Sequence, residues 1–575
     1  MNKTIVRRPR CDSTLDPQLH PIIARIYQGR GIQSHDQLET GVTQLHSWEH
    51  LTNIKQASEL LYQALLRQQR ILIIGDFDAD GATSTAIAVS ALKQLGFQSV
   101  HYLVPNRFTY GYGLTPEIVN AAIQQFNPEL IITVDNGVSS HKGVDEAKKA
   151  GITVLITDHH LPGETLPNAD AIVNPNLVGD LFPSKSLAGC GVIFYVMLAL
   201  RHLLREKNYF LSHKLAEPNL AGLLDYVALG TIADVVNLDK NNRILVYQGL
   251  KRIKAKQCHL GILALIAAAG RTPEQLTATD LAFMIAPRLN AAGRLDDMSL
   301  GIACLLEENI ERAQAIALQL NTLNEERREI EKKMQADALQ TLSAMNIEQI
   351  SHAFGLCLYD QNWHQGVIGI LAGRIKDRLH RPVIAFASAS ETELKGSARS
   401  IPGIHIRDIL DEIATRHPDL LEKFGGHAMA AGLTLQKAHF KRFSRIFNAT
   451  IEKRCTPELL AAHILTDGEL SYQEMSLELA ELIQQAGPWG TAFPEPVFDN
   501  HFQVLQQTLL GGKHLKLRLG LPGYPGIFDA IAFNVETQYW PNPKAEMIHA
   551  VYRLDINEYR GLRKIQLIID YLIKK

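Results

Sequence analysis

Three acidic clusters each follow a short apolar run. Asp76-Phe77-Asp78-Ala79-Asp80-Gly81 comes after Ile71-Leu72-Ile73-Ile74, and Asp135-Asn136-Gly137 after Leu130-Ile131-Ile132-Thr133-Val134. Asp158-His159-His160 closes Thr153-Val154-Leu155-Ile156. Runs rich in Ile and Val read as buried parallel strands. Carboxylates at the carboxyl ends of such strands converge on one crevice of an open α/β sheet. Crowded like charges repel strongly unless a cation neutralises them. The pattern therefore predicts a divalent-metal site built from Asp and His, with metal-assisted hydrolysis as its chemistry.

Asp78 and Asp80 lie two apart, with Asp76 two before them. In an extended loop, alternate side chains point the same way and can share hard cations through oxygen. By itself such a cluster reads better as a solvated turn with Asp helix caps. Gly81-Ala82-Thr83-Ser84 is expected to turn into a helix whose N-terminus favours anions. Adjacent His159 and His160 are the sharper signal, because mixed Asp/His ligation suits Mn better than Mg. Asp234 falls inside an apolar, helix-like stretch, where an uncompensated carboxylate is costly. It is a further ligand candidate, with capping or ion pairing as the plainer alternative. Two ions about 3.5–4 Å apart clamp the attacking and leaving oxygens of a phosphoryl group.

Transition-state charge also needs fixed cations. Candidates are Arg107, Arg288 and Arg294, the last two within Pro287-Arg288-Leu289-Asn290-Ala291-Ala292-Gly293-Arg294. An isolated Arg ordinarily makes a surface salt bridge. Gly396-Ser397-Ala398-Arg399-Ser400 and residues 424–432, which contain His427, allow close backbone approach to a phosphate chain. Read alone, both are tight packing turns. Near the C-terminus, Lys516, Arg518 and Arg560, among other basic residues and aromatics, suit single-stranded nucleic acid. A solvated strand face is the plainer reading of each.

The elements that must position these residues follow from length and periodicity. A chain of 575 residues exceeds one core and predicts three or four domains. A net charge of −2 gives no global case for nucleic-acid binding, so basic patches must be local. Six scattered cysteines form neither a zinc pattern nor a dense disulfide framework, as expected of reduced cytoplasmic thiols. The opening residues lack a secretory h-region, and no apolar segment is long enough to span a bilayer. Residues 1–50 read as a helical lead-in. Residues 51–305 read as alternating strands and helices of a doubly wound parallel sheet with a helical extension. A long charged helix is expected over residues 306–345, a second α/β domain over 346–455, and a small antiparallel barrel over 456–575.

Asp158-His159-His160, with residues 75–81 and 135–137, resembles the signature of the DHH phosphoesterase superfamily. Residues 424–432 resemble its associated DHHA1 domain. Residues 287–294 and 487–496 resemble the branch of bacterial single-strand-specific DNA exonucleases. The resemblance covers nearly the whole chain. It implies two α/β domains, DHH and DHHA1, joined by a long helix around a central groove, plus an OB-like barrel. It implies 5′-to-3′ release of mononucleotides from single-stranded DNA, with two Mn2+ or Mg2+ ions. Water rather than a protein side chain is the implied nucleophile. Implied partners are the single-strand DNA-binding protein SSB and proteins of recombination and mismatch repair, the chain itself being a monomer. Metal ligation carries over to Asp78, Asp80, Asp135, His159 and Asp234, with Asp76 and His160 as neighbours. DNA contacts carry over to Arg107, Arg288, Asn290, Arg294, Ser397, Arg399 and His427. Many superfamily members have a His where this chain has Ile74, which implies a thinner ligand set for one ion. Two alternatives are a superfamily enzyme acting on short oligoribonucleotides or cyclic dinucleotides, and a non-catalytic DNA-binding scaffold.

Overall fold

The computed structural model describes residues 3–105, 113–344, 353–421, 423–559 and 561–575. The opening segment holds a strand, Thr4–Arg7 (β1), one helix, Pro21–Gln28, and three short 3-10 turns at His35–Leu38, Val42–Gln44 and Trp48–His50. Turns therefore outnumber helices in the predicted helical lead-in.

The predicted parallel strands follow: Ile71–Gly75 (β2), Val100–Leu103 (β3), Leu130–Val134 (β4), Thr153–Thr157 (β5) and Ala171–Val173 (β6). They form one parallel sheet in the order β3-β2-β4-β5-β6. Every residue of β2 and β4 is buried, as continuous Ile/Leu/Val runs require in a sheet covered on both faces. Leu72, Ile74, Ile131, Val154 and Ile156 share one core with Ile118, Val119, Val144 and Ala147 from the helices Pro116–Phe126 and His141–Lys149. The chain leaves β2 for β3 on one side and returns to β4 on the other. The switch point, where such sheets bind ligands, thus lies between β2 and β4. Gly75 is level with Val134, and Val134 with Thr157, so residues 76, 135 and 158 emerge side by side.

The loop expected to be extended is a helix start instead. The helix Ala79–Gln94 begins four residues before the predicted 83–95, so Asp80 and Gly81 lie in its first turn. Asp78 is extended, at φ −115° and ψ −175°, and caps the helix. This helix packs on Gly189–Glu206 and Leu224–Ala233.

The chain divides into two compact units, residues 7–321 with 465–575, and residues 1–6 with 322–464. The long helix runs from Ile310 to Ala344. Ala313, Ala317 and Leu320 are buried in its first part, and Met334 and Ala338 in its second. The second unit holds a mixed sheet of Leu356–Tyr359 (β7), Val383–Ser388 (β8), Glu393–Arg399 (β9), Lys423–Gly426 (β10) and Ala430–Gln436 (β11), in the order β10-β11-β9-β8-β7. Alternation along β8 sends Val383, Ala385 and Ala387 to one core and Ile384 and Phe386 to the other. A further strand, His463–Thr466 (β12), pairs with β1. The chain then closes a barrel from Phe498–Leu510 (β13), His514–Gly520 (β14), Ile527–Ala532 (β15), Met547–Tyr559 (β16) and Leu562–Lys574 (β17), in the order β13-β14-β15-β17-β16. Among the described residues, no helix is long and apolar enough to cross a membrane.

Candidate metal centre

Asp76, Asp78 and Asp80 are each fixed by backbone donors from their own turn or a neighbouring helix. Asp76 accepts from the Phe77 N–H at 2.7 Å. Asp78 accepts from the N–H groups of Asp80 and Gly81 at 2.9 and 3.0 Å, which is N-capping. Asp80 accepts from Gly189 and Cys190 N–H at 2.7 and 3.0 Å, at the start of the apolar helix Gly189–Glu206. The anion at a helix N-terminus is therefore a protein carboxylate, and the helix is not the one expected from residues 81–84. Asp78 therefore caps the helix, and its carboxylate also lies beside those of Asp76 and Asp135.

Asp135 sits at φ 62°, a left-handed position Asp tolerates. A Cβ on Gly189 would lie 2.6 Å from Asp135 Cβ, so only glycine lets that helix start here. Asn136 donates to the carbonyls of Ile74 and Val134 at 3.0 and 2.9 Å, tying the ends of β2 and β4 together. Asp158 accepts from Val138 N–H at 2.8 Å and from His160 Nδ1 at 2.7 Å. Its neighbour His159 aims Nε2 at Asp135 Oδ1 (3.0 Å), Asp234 Oδ2 (3.5 Å) and Asp80 Oδ2 (4.0 Å). Asp234 lies at the C-cap of Leu224–Ala233, not inside the helix. Three overlapping groups, Asp80–His159–Asp234, Asp135–His159–His160 and Asp76–Asp78–Asp135, each bring their ligand atoms within 4.8 Å of one another. The last is all carboxylate.

Electrostatics agree with a cation site. Burial, then the charge of Asp78, raises the Asp80 carboxyl to about 6. Burial and the surrounding carboxylates, Asp80 first, push Asp135 and Asp234 well above the ordinary carboxylate range. At Asp158, burial also raises the carboxyl, but the hydrogen bond and charge of His160 outweigh it and the net shift is downward. At His160, burial lowers the imidazole, but Asp158 prevails and raises it to about 9. A His holding a carboxylate through Nδ1 is the arrangement that fixes a metal-binding imidazole. Buried oxygen and imidazole donors that mutually repel fit one or two divalent cations such as Mn2+.

The remaining candidates have diverse settings. Arg288 is buried and donates to Asn321 Oδ1 at 3.1 Å and to the carbonyls of Met284 and Ala268. Asn290 accepts from Ala79 N–H at 2.9 Å, so it holds the acidic turn. Arg294 lies in the last turn of the same helix, Ala286–Leu295. Ser397 and Arg399 lie on β9, where Arg399 donates to Ser397 Oγ at 3.1 Å. Burial lowers the Arg399 guanidinium. The two segments expected as packing turns are paired strands. Gly425 is level with Gly432, and Gly432 with Ser397. A Cβ on either glycine would meet nothing within 4 Å, leaving an open strip of bare backbone before Ser397. His427 is exposed in the β10–β11 loop. Lys516 and Arg518 point outward on β14, level with Thr508 and Gln506 of β13. Arg107 and Arg560 lie outside the described residues. Sequence reasoning missed the Gly189 and Cys190 donors, and Asn174 and Asn176, which donate to the carbonyls of His160 and His159 at 2.8 and 2.5 Å. The Gly189 and Cys190 donors are backbone groups and carry no residue-type signal.

Fold and centre together place the chain among the DHH phosphoesterases. The DHH family, N-terminal domain, matches residues 70–231, the DHHA1 domain residues 351–453, and the RecJ OB domain residues 466–571. The chain belongs to the RecJ family. It is 52% identical to the single-stranded-DNA-specific exonuclease RecJ of Salmonella typhimurium and to that of Escherichia coli, over 98% of this chain and 98% of each relative. A crystal structure of RecJ in complex with Mn2+ from Thermus thermophilus matches 96% of this chain and 76% of its own, with a TM-score of 0.79 and 30% identity.

Proposed function

We propose that this protein is a single-stranded-DNA-specific exonuclease that releases mononucleotides in the 5′-to-3′ direction. The convergence of Asp80, Asp135, His159 and Asp234 at the switch point of the sheet carries this reading. Asp80, His159 and Asp234 would hold one ion, and Asp76, Asp78 and Asp135 a second. When bound, two divalent cations supply charge neutralisation of the phosphoryl group and acidify a water. The chain's own groups position that chemistry. Asp158 orients His160, Asn136 fixes the turn that carries Asp135, and Asn290 fixes the turn that carries Asp78 and Asp80. No side-chain nucleophile is required.

Ser397, Arg399 and His427 contact the DNA backbone across the bare glycine strip, and Lys516 and Arg518 of the barrel gather the strand. Arg107 and Arg294 are assigned to the terminal phosphate, Arg560 to DNA binding, and Arg288 to holding the helix that bears Asn290 and Arg294. The domain plan is a lead-in to residue 50, a DHH domain over 51–305, the helix over 306–345, a DHHA1 domain over 346–455 and the barrel over 456–575. It is supported by the family matches and the helix Ile310–Ala344. Six free cysteines support a reducing, cytoplasmic setting. SSB and the proteins of recombination and mismatch repair are its partners.

The test is digestion of matched single strands blocked at one end or the other, in Mn2+, with Asp135→Ala as control. Degradation of the 3′-blocked strand alone, abolished by the substitution, is expected. Degradation of the 5′-blocked strand overturns the polarity. Activity on short oligoribonucleotides or cyclic dinucleotides alone overturns the substrate.

A further inference from the structure

Residues 487–496 were singled out in the sequence, and the centre does not use them. They link the barrel to the turn that carries Asp234. Val235, directly after Asp234, sits at φ 63° and is 65% exposed. A β-branched residue in the left-handed region is an outlier that persists only where its surroundings hold it. What holds it comes from the barrel side. Leu238 N–H donates to the Thr491 carbonyl at 2.9 Å. Gly490 lies so close that a Cβ there would meet Leu238 Cδ1 at 2.7 Å and Ile232 Cδ1 at 3.9 Å. Ile232 and Leu238 therefore flank Asp234 in sequence and touch the same glycine.

The segment is rigid. Gly490 and Phe493 exchange backbone hydrogen bonds at 2.9 and 3.1 Å, and the Trp489 and Phe493 rings stack at 5.1 Å. Arg243 lies over the Phe493 ring at 4.5 Å and donates to the Leu238 carbonyl at 3.0 Å, so both polar groups of the Leu238 backbone are held. At its other end the segment is tied to the root of the barrel. Arg30 donates to the Pro494 carbonyl at 2.8 Å and makes a fully buried ion pair with Asp467, which accepts from Val497 N–H at 3.0 Å just before β13.

We infer that residues 489–493 form a positioning clamp that holds the strained Asp234–Val235 turn in its metal-binding geometry, coupling the barrel mechanically to the centre. The inference rests on the reading of Asp234 as a ligand. Outer supports of metal ligands are worth 10–100-fold in metal affinity. Glycine adopts φ near +60° without cost, so Val235→Gly removes the need for the clamp.

The test is Mn2+ binding to the full chain by titration calorimetry, alongside the melting temperature of the metal-free protein. Gly490→Val is expected to weaken one Mn2+ site about tenfold. Val235→Gly alone leaves affinity near the unsubstituted value and restores most of it when combined with Gly490→Val. If Gly490→Val does not fold, Gly490→Ala with and without Val235→Gly gives the same comparison. Unchanged Mn2+ affinity in a folded Gly490 variant, or no rescue by Val235→Gly, overturns the clamp. Asp234→Asn separates the two readings. If it leaves both sites intact, the ligand assignment fails; if it weakens one site while the Gly490 variants do not, the clamp alone fails.

Discussion

Asp80, Asp135 and Asp234 are held in the fold against their own ionisation. Their folded-state carboxyls titrate above the ordinary value of about 3.9, so the folded metal-free chain binds more protons than the unfolded chain. The stability they contribute is present in acid and is lost as pH rises, through about 6 for Asp80, with Asp135 and Asp234 shifted in the same direction. Metal binding competes for the same sites with protons. Saturating Mn2+ is therefore expected to raise the melting temperature more at about pH 7.5 than at about pH 5.5. An equal shift at both values contradicts the assignment. Asp135→Asn puts a neutral amide where the fold opposes a carboxylate. It is expected to raise the metal-free melting temperature at neutral pH by about 1 °C, the scale of 1 kcal/mol in a unit this large. Turnover is expected to fall at least on the order of 100-fold, the scale set by lost support of a metal ligand. Calorimetry and a nuclease assay on the same preparation check both signs.

Among elements, the apolar runs of β2, β4 and β5 were legible because a strand buried on both faces leaves continuous Ile, Leu and Val. Their order, and hence the side-by-side placement of residues 76, 135 and 158, is a topological fact that no local pattern encodes. The start of the helix Ala79–Gln94 was misjudged because an Asp spacing of two fits both a strand and a capped helix, and the capping hydrogen bonds of Asp78 decide between them. Asn290 was legible as a candidate, but its hold on the acidic turn was not, since its partner is the backbone of residue 79. The helix Gly189–Glu206 read only as apolar, yet its first two N–H groups fix Asp80 and its first glycine makes room for Asp135. Gly189→Ala places a methyl 2.6 Å from Asp135 Cβ. Displacement of about 1 Å in a catalytic group costs on the order of 100-fold, so activity is expected to fall by that scale while circular dichroism stays unchanged. Full activity in a folded variant would show that Asp135 tolerates the shift.

At the scale of the whole molecule, a net charge of −2 means that affinity for a polyanion must be local. Lys516 and Arg518 both stand on the exposed face of β14. Alanine at either position is expected to weaken single-stranded DNA binding and to flatten the slope of log affinity against log salt by about 0.7. The cleavage rate at saturating DNA is expected to be unchanged. An unaltered salt slope excludes a phosphate contact. By contrast, the buried pair of Arg30 with Asp467 at the root of the barrel is expected to act through stability, without salt dependence of DNA binding.

The most direct test of the central claim is anomalous diffraction at the manganese edge from crystals of the protein soaked in Mn2+. Two peaks about 3.5–4 Å apart are predicted, one bonded to Asp80, His159 and Asp234 and the other to Asp76, Asp78 and Asp135. Mn2+ bound elsewhere, with this cluster left empty, would contradict the account.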